Sequence, residues 1–234
     1  DPVQPTTLAV VTLDAAGERS FSFYRNPGAD TMLRAEEVPQ AILESTKFFH
    51  FGSVSLTADP ERTATLDAVH RAKKAGALIT FDPNYRANLW PDAKNAVAQI
   101  QAALPLADIL KVSDEEMTLL TGCTDPQEGS LRLMALGIPL VLITLGADGA
   151  CYRMGDCYGK VNGFAVKVAD TNGAGDTFLG AFLSRIKERE SLSELDDAKL
   201  REAVTFANKA ASLTTSRPGA IPAMPTLQEV SAGE

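Results

Sequence analysis

The chain is poor in the residues that hold metals and build covalent staples. Two histidines and three cysteines occur in 234 residues. Cys123, Cys151 and Cys157 follow no regular spacing, and an odd, patternless count excludes a disulfide framework. His50 and His70 lie far from the cysteines in sequence, so no zinc-type ligand set forms. The thiols read as free, in a reducing cytoplasm. Positive charge is also short: 22 Lys and Arg stand against 30 Asp and Glu, a net charge of −8. No basic block can neutralise a run of phosphates, which excludes nucleic acid as a partner. Long apolar runs are missing as well. No stretch reaches the length of a membrane span, so no membrane partner is expected, nor is a signal peptide expected from the opening residues.

What is present is the balance of an ordinary globular domain: 45% hydrophobic and 22% charged residues. That balance argues against disorder and supplies a core without staples. The opening DPVQPTTLAVV carries no initiator Met, so the chain is expected to begin partway through a longer protein. LAVVTL (8–13), a DAAGE turn (14–18) and RSFSFYR (19–25) pattern as a half-buried hairpin. Two strands alone are marginal, so this hairpin needs a partner. After NPGAD (26–30) the rhythm becomes strand–helix alternation. Strands are expected at 47–56, 77–82, 107–113 and 139–146, and near 150–153 and 164–168. Helices are expected from Asp59 and Pro60 to Gly76, from Pro91 through Leu104, and from Ser113, which caps with Glu116 three residues on. Two more should finish the chain at 173–188 and 198–216. Such alternation predicts a mostly parallel sheet covered on both faces, with ligands beyond the carboxyl ends of the strands.

Four segments carry candidate chemistry. Ala169 to Phe182 reads ADTNGAGDTFLGAF. Gly173, Ala174 and Gly175 put small residues where the backbone must approach a ligand closely. N–H groups at a helix N-terminus favour an anion there. Asp176 falls in the first turn, placed to take a proton from a hydroxyl attacking phosphorus. A plain helix entry with an Asp cap is the competing structural reading. Ile143 to Ala150 (ITLGADGA) brings Thr144, Gly146 and Gly149 to a strand end, suited to terminal phosphates or to a simple hairpin turn. In Lys111 to Gly122 (KVSDEEMTLLTG), Glu116 suits a water-bound Mg²⁺ or the helix cap, and both roles are compatible. In Phe81 to Trp90 (FDPNYRANLW), Asp82 and Asn84 end a strand and Arg86 reaches toward an anionic or polar ligand; a Pro–Asn turn explains the same letters. No GxxxxGK[ST] is present, which excludes a Walker loop. No GxGxxG follows the first strand, so a dinucleotide-binding oxidoreductase lacks its fingerprint.

In combination, DTNGAGDTFLGA resembles the C-terminal signature of the ribokinase-like (PfkB-type) carbohydrate kinases. TLGADG, SDEE and DPNYR resemble other blocks of that family in the same order, and FYRNPGAD points to its fructokinase branch. The resemblance covers essentially the whole chain. It implies a three-layer α/β/α sandwich with a mostly parallel central sheet and a small β-hairpin lid, with residues 8–30 as the remnant of that lid and 31–234 as the nucleotide-binding body. It implies ATP and a small sugar as ligands, with Mg²⁺ and a monovalent cation such as K⁺. The reaction implied is D-fructose to fructose 6-phosphate, with 2-keto-3-deoxygluconate or an aminoimidazole riboside as alternative acceptors. A catalytically silent regulatory relative is the alternative of another class, and the intact Asp176 argues against it. Carried over by position, Asp176 would be the base and the amides of Gly173, Ala174 and Gly175 the anion hole. Thr144, Gly146 and Gly149 would meet the phosphates, with Ser113 in the block where the family usually has Asn. Asn208 would lie beside the adenine. SRPGAIPAMP would wrap the nucleotide pocket and shape the monovalent-cation site with Asp170, and Glu116 would hold Mg²⁺ through water. Arg25 and Arg86 would lie near the sugar, and the lid would support a homodimer. The family also has an N-terminal portion supplying an aspartate and a Gly-Gly segment with an asparagine for the sugar, together with the first strands of the sheet. That portion is not in this sequence; a polypeptide that begins at Asp1 is expected to turn over weakly or not at all and to leave a sheet edge uncovered, whereas a longer protein that includes it is expected to be active.

Overall fold

The computed structural model describes residues 1–13, 19–25, 27–189 and 191–232. The expected 14–18 turn and Asn26 of the NPGAD segment lie outside them. The chain divides into two compact units, Asp1–Asp108 and Ile109–Glu234.

In the first unit, β1 (Leu8–Leu13) and β2 (Arg19–Tyr24) form the expected antiparallel hairpin, with Leu8 opposite Tyr24. α1 (Gln40–Ser45) leads to β3 (Phe48–Gly52), and α2 (Glu61–Lys74) joins β3 to β4 (Leu78–Asp82). β3 and β4 run parallel, with Phe51 opposite Phe81, and their rings stack with centroids 4.4 Å apart. α2 packs on both strands through the buried stripe Ala64, Ala68, Val69 and Ala72. α3 (Ala93–Ala103) starts two residues beyond Pro91, because the Asp92 side chain accepts the Asn95 N–H and is the true cap.

The segment after β2 is a structural junction. The Arg25 Nε bonds Asp30 at 2.5 Å, and the other guanidinium nitrogens reach the Thr57 hydroxyl at 2.6 Å, the Val54 carbonyl at 3.2 Å and Glu61 at 2.7 Å. Thr7 donates to the same Asp30. A Cβ on Gly28 would lie 2.0 Å from the Thr7 hydroxyl oxygen, so only glycine lets the loop pass under it. The hairpin end is thus fastened to the start of α2 by one buried guanidinium shared between two carboxylates. Burial pushes the Glu61 carboxyl up to about 7 against the pull of Arg25, and the Asp30 charge adds to the rise. A native acid held above its ordinary value binds protons that the unfolded chain gives up, so Glu61 supports folding below about pH 4.5 and that support is gone above about pH 7. The unfolding midpoint of Glu61→Gln relative to the parent should therefore rise as the pH passes from 5 to 8 in denaturant titrations. A difference that stays flat across that range would show that Glu61 is ionised at all these pH values.

In the second unit, β5 (Ile109–Ser113) is followed by α4 (Asp114–Thr121) and α5 (Pro126–Met134). β6 (Leu140–Thr144), β7 (Ala150–Met154) and β8 (Cys157–Val161) come next, then α6 (Ala174–Ile186), α7 (Asp197–Thr215) and α8 (Leu227–Ser231). β5 and β6 are parallel; β7 and β8 add on antiparallel. The parallel character read from the sequence therefore ends at β6. The strands carry a continuous core in which Ile109, Leu110, Val112, Leu140, Val141, Leu142 and Ile143 are fully enclosed.

Two expectations needed correction. Residues 164–168 form no strand; Phe164, Val166 and Val168 alternate but are exposed. The strand lies earlier, at Cys157–Val161, where Gly159 masked it. That glycine is required because a Cβ there would sit 2.3 Å from the Tyr152 ring. α5 was not expected, since Gly129 interrupts its pattern. Its glycine makes room for Met117, whose sulfur would be 2.2 Å from a Cβ. Among the described residues no helix is long and apolar enough to cross a membrane.

Candidate active site

The second unit holds most of the flagged residues, and the carboxyl ends of β5 and β6 bring Ser113, Glu116, Thr144, Gly146 and Gly149 into neighbouring segments. The parallel register sets Ser113 directly beside Thr144. Ser113 caps α4: its hydroxyl accepts the Glu116 N–H at 3.1 Å, and the Glu116 carboxylate accepts the Ser113 N–H at 2.9 Å. The capping box is thus formed, and it holds the Glu116 carboxylate at the first turn of α4. Beyond Thr144 the chain turns tightly through Gly146 (φ 57°) and Gly149 (φ 93°) into β7. The Leu145 N–H closes this turn by donating to the Gly149 carbonyl at 2.8 Å. It is a hairpin turn, as the plain reading of ITLGADGA had it, and Gly146, Ala147 and Asp148 are exposed.

The loop before α6 is tied down at its start. The Asp170 carboxylate accepts the Asn172 N–H at 2.9 Å and the Gly219 N–H at 3.0 Å. The Ala169 N–H donates to Thr215 at 2.8 Å. Ala220 and Met224 lie 3.5 Å from where a Gly173 Cβ would stand, so the SRPGAIPAMP segment closes over the loop. Gly173 takes the left-handed conformation (φ 74°, ψ 4°) and α6 begins at the next residue. A left-handed residue followed by right-handed ones turns successive N–H groups toward one side, an anion-binding concavity.

Not all three expected amides are open. The Ala174 N–H turns back to the Thr171 carbonyl at 3.3 Å. Among the described residues, those of Gly175 and Asp176 donate to no backbone carbonyl. Asp176 itself is exposed in the first turn of α6, neither folded into the core nor consumed as a cap.

Sequence reasoning passed over Lys111, whose motif was valued for Glu116. Lys111 is buried in β5, only 7% exposed. Its Nζ would be 2.9 Å from a Cβ on Gly175. An ammonium group therefore stands directly against the first turn of α6, which carries Asp176. The signal available was a lysine inside the otherwise apolar strand ILKV, since lysine is rarely enclosed without a charge to meet.

Asn208 lies on the buried face of α7 and donates from its side-chain amide to the Val161 and Asn162 carbonyls at 3.1 and 3.2 Å. Arg25 and Arg86 belong to the first unit. Arg25 is held in the junction described above. The Arg86 guanidinium donates to its neighbour's carbonyl, Tyr85, at 3.1 Å, close to Asn84, whose φ of 46° is a conformation Asn tolerates best among non-glycine residues.

A sequence model of pfkB family carbohydrate kinases matches residues 1–227. Fructokinase-2 of Solanum lycopersicum is 45% identical over 225 residues, which are 96% of this chain and 68% of that protein. The crystal structure of a fructokinase from Vibrio cholerae O395 with fructose, ADP and calcium ion bound superposes with a TM-score of 0.87 at 37% identity, covering 98% of this chain and 73% of that one. A fructokinase from Xylella fastidiosa with bound ATP gives 0.89 at 35% identity over the same shares. The fold of this chain is that of these α/β kinases.

Proposed function

We propose, from the premise that the chain belongs to the pfkB family of carbohydrate kinases, that the acceptor is D-fructose and the product fructose 6-phosphate. Membership makes it an ATP-dependent sugar kinase. The choice of sugar is supported by the 45% identity to Fructokinase-2 of Solanum lycopersicum. The observation that carries the mechanism is the exposed Asp176 carboxylate in the first turn of α6, with the Lys111 nitrogen close against Gly175 in that same turn.

Asp176 takes the proton from the primary hydroxyl of the sugar as that oxygen attacks the γ-phosphorus. The bond from the γ-phosphorus to the β–γ bridging oxygen breaks, and ADP leaves. Charge grows on the equatorial oxygens of the moving phosphoryl, where the Gly175 and Asp176 amides and the Lys111 ammonium offset it. Thr144 and the 146–149 turn hold the remaining phosphates, and the 216–225 segment covers the nucleotide. Arg25 and Arg86 serve the sugar side, Arg25 by fixing the lid hairpin through its junction.

Among the described residues no cluster of three or more His, Cys, Asp or Glu could cage a metal. The single anchored carboxylate of Glu116 fits Mg²⁺, which keeps its waters and binds phosphate oxygens; when bound it supplies charge to the phosphate chain. A monovalent cation such as K⁺ would share Asp170 with the backbone bonds already made there. A panel of sugars with coupled ADP detection, run with and without Mg²⁺, tests the reading. Fructose should give the highest kcat/KM; another sugar preferred tenfold would replace it, and full activity without a divalent cation would remove Glu116.

The hairpin supports a homodimer. Leu8, Val10, Val11 and Tyr24 are 41–67% exposed on a two-stranded ribbon, and adjacent Val10 and Val11 point to opposite faces of it. Val10→Lys with Val11→Lys should shift the mass in sedimentation from dimer to monomer; an unchanged mass places the interface elsewhere.

A further inference from the structure

Asn208 would be assigned to the adenine by its position in the family, yet its side chain is already committed. The side chain is buried, and its two N–H bonds go to two successive carbonyls, Val161 and Asn162. Chemistry fixes its orientation, because only the NH₂ end can meet two acceptors. Helix α7 thereby grips the last residue of β8 and the one that follows it.

Those residues form a strap beneath the phosphate turn. A Cβ on Gly149 would lie 2.1 Å from the Val161 oxygen and 2.5 Å from both Asn162 C and Gly163 N. A Cβ on Gly163 would lie 2.2 Å from the Ala147 carbonyl oxygen. Both contacts are backbone against backbone with no side chain between, so the strap and the turn pack directly on each other. The tip of the turn meets solvent, since Gly146, Ala147 and Asp148 are exposed, while Gly149 beside the strap is buried. The chain of support runs from α7 through Asn208 to the strap 161–163, and from the strap to the turn 146–149.

We propose that Asn208 is a positioning residue for the nucleotide's phosphates, holding the strap against the turn and so fixing the backbone groups that meet the phosphate chain. This rests on the reading of that turn as a phosphate contact. With both N–H groups occupied, any contact Asn208 makes with a base is as an acceptor through its oxygen alone.

The test compares ADP with adenosine by calorimetry, since the two share the base and ribose and differ in phosphate. Asn208→Ala should weaken ADP on the order of tenfold, the loss of one to two net hydrogen bonds, and leave adenosine unchanged. Gly163→Ala lifts the strap from the other side without touching α7 and should do the same, which covers failure of the first variant to fold. Equal weakening of adenosine would place Asn208 at the base and overturn the proposal, as would unchanged ADP affinity. Hydrogen exchange without any ligand separates the strap from the phosphate reading. The amides of Leu145, Asp148 and Gly149, all bonded within the turn, should exchange faster in Asn208→Ala. Exchange at the parental rate would sink the strap whatever the nucleotide does. A parent protein that binds neither ADP nor adenosine would overturn the phosphate assignment while the exchange result still decides the strap.

Discussion

Asp176→Asn is expected to lower kcat by about 10³-fold, within the range typical for loss of a positioned general base, while the dissociation constant for ADP changes less than about threefold, under 1 kcal/mol. The substitution keeps size and hydrogen-bonding shape and removes the one property the mechanism needs, the capacity to accept a proton. Asp176 lies in the first turn of α6 and is exposed, so no buried partner is orphaned. The helix loses only a favourable charge near its N-terminus, on the order of 0.3–1 kcal/mol, and the thermal midpoint should move little. Asp176→Glu supplies a control: it retains the charge and the acceptor but shifts the oxygen by a methylene, so it should recover part of the rate with a raised sugar KM. A kcat for Asp176→Asn within about tenfold of the parent would take Asp176 out of the proton transfer, well short of what a general base contributes.

Much of this was legible in the sequence, for identifiable reasons. Buried strands such as LVLIT and FDPN-terminated LITF announce themselves because a strand covered on both faces must be apolar throughout. The Ser113–Glu116 box was readable because capping is local chemistry, settled within four residues. What failed was non-local. Gly159 and Gly129 look like breakers until Tyr152 and Met117 are seen to occupy the space a side chain would need. Phe164, Val166 and Val168 alternate as a strand should, but alternation makes a strand only when a neighbouring chain offers hydrogen bonds. At the site, the letters GAGD showed where amides and a carboxylate would cluster. They did not show that the Ala174 N–H is spent on Thr171, that Arg25 is enclosed by Asp30, Glu61 and Thr57, or that Asn208 grips a strap. Each of those facts depends on a partner distant in sequence or on the backbone path through a turn. Lys111 was visible all along as a charge inside a strand, and the sequence did not show that its nitrogen stands against Gly175.

Lys111→Met should lower kcat by about 10²-fold, the scale seen when one preorganised group facing transition-state charge is removed, with the fold intact because methionine is a flexible chain of similar length. The cation matters here for a reason of geometry. Its nitrogen stands against Gly175, in the helical turn that also carries Asp176, in a buried setting where a charge interacts more strongly than in water. Glycine at 175 is what allows the approach. A methyl group there would meet the ammonium at 2.9 Å. The ammonium ends a flexible side chain, so it would withdraw and leave the loop in place. Gly175→Ala should therefore act as a partial Lys111 deletion, cutting kcat severalfold to about tenfold while the thermal midpoint falls by no more than the cost of a small overpacking, about 1 kcal/mol. The decisive measurement is the double-mutant cycle. If the ammonium and the glycine form one device, Gly175→Ala has no further effect on kcat once Lys111 is Met, and the coupling equals the whole effect of the alanine. Independent effects that multiply would mean that Gly175 acts through its own backbone and that Lys111 merely fills the core of β5.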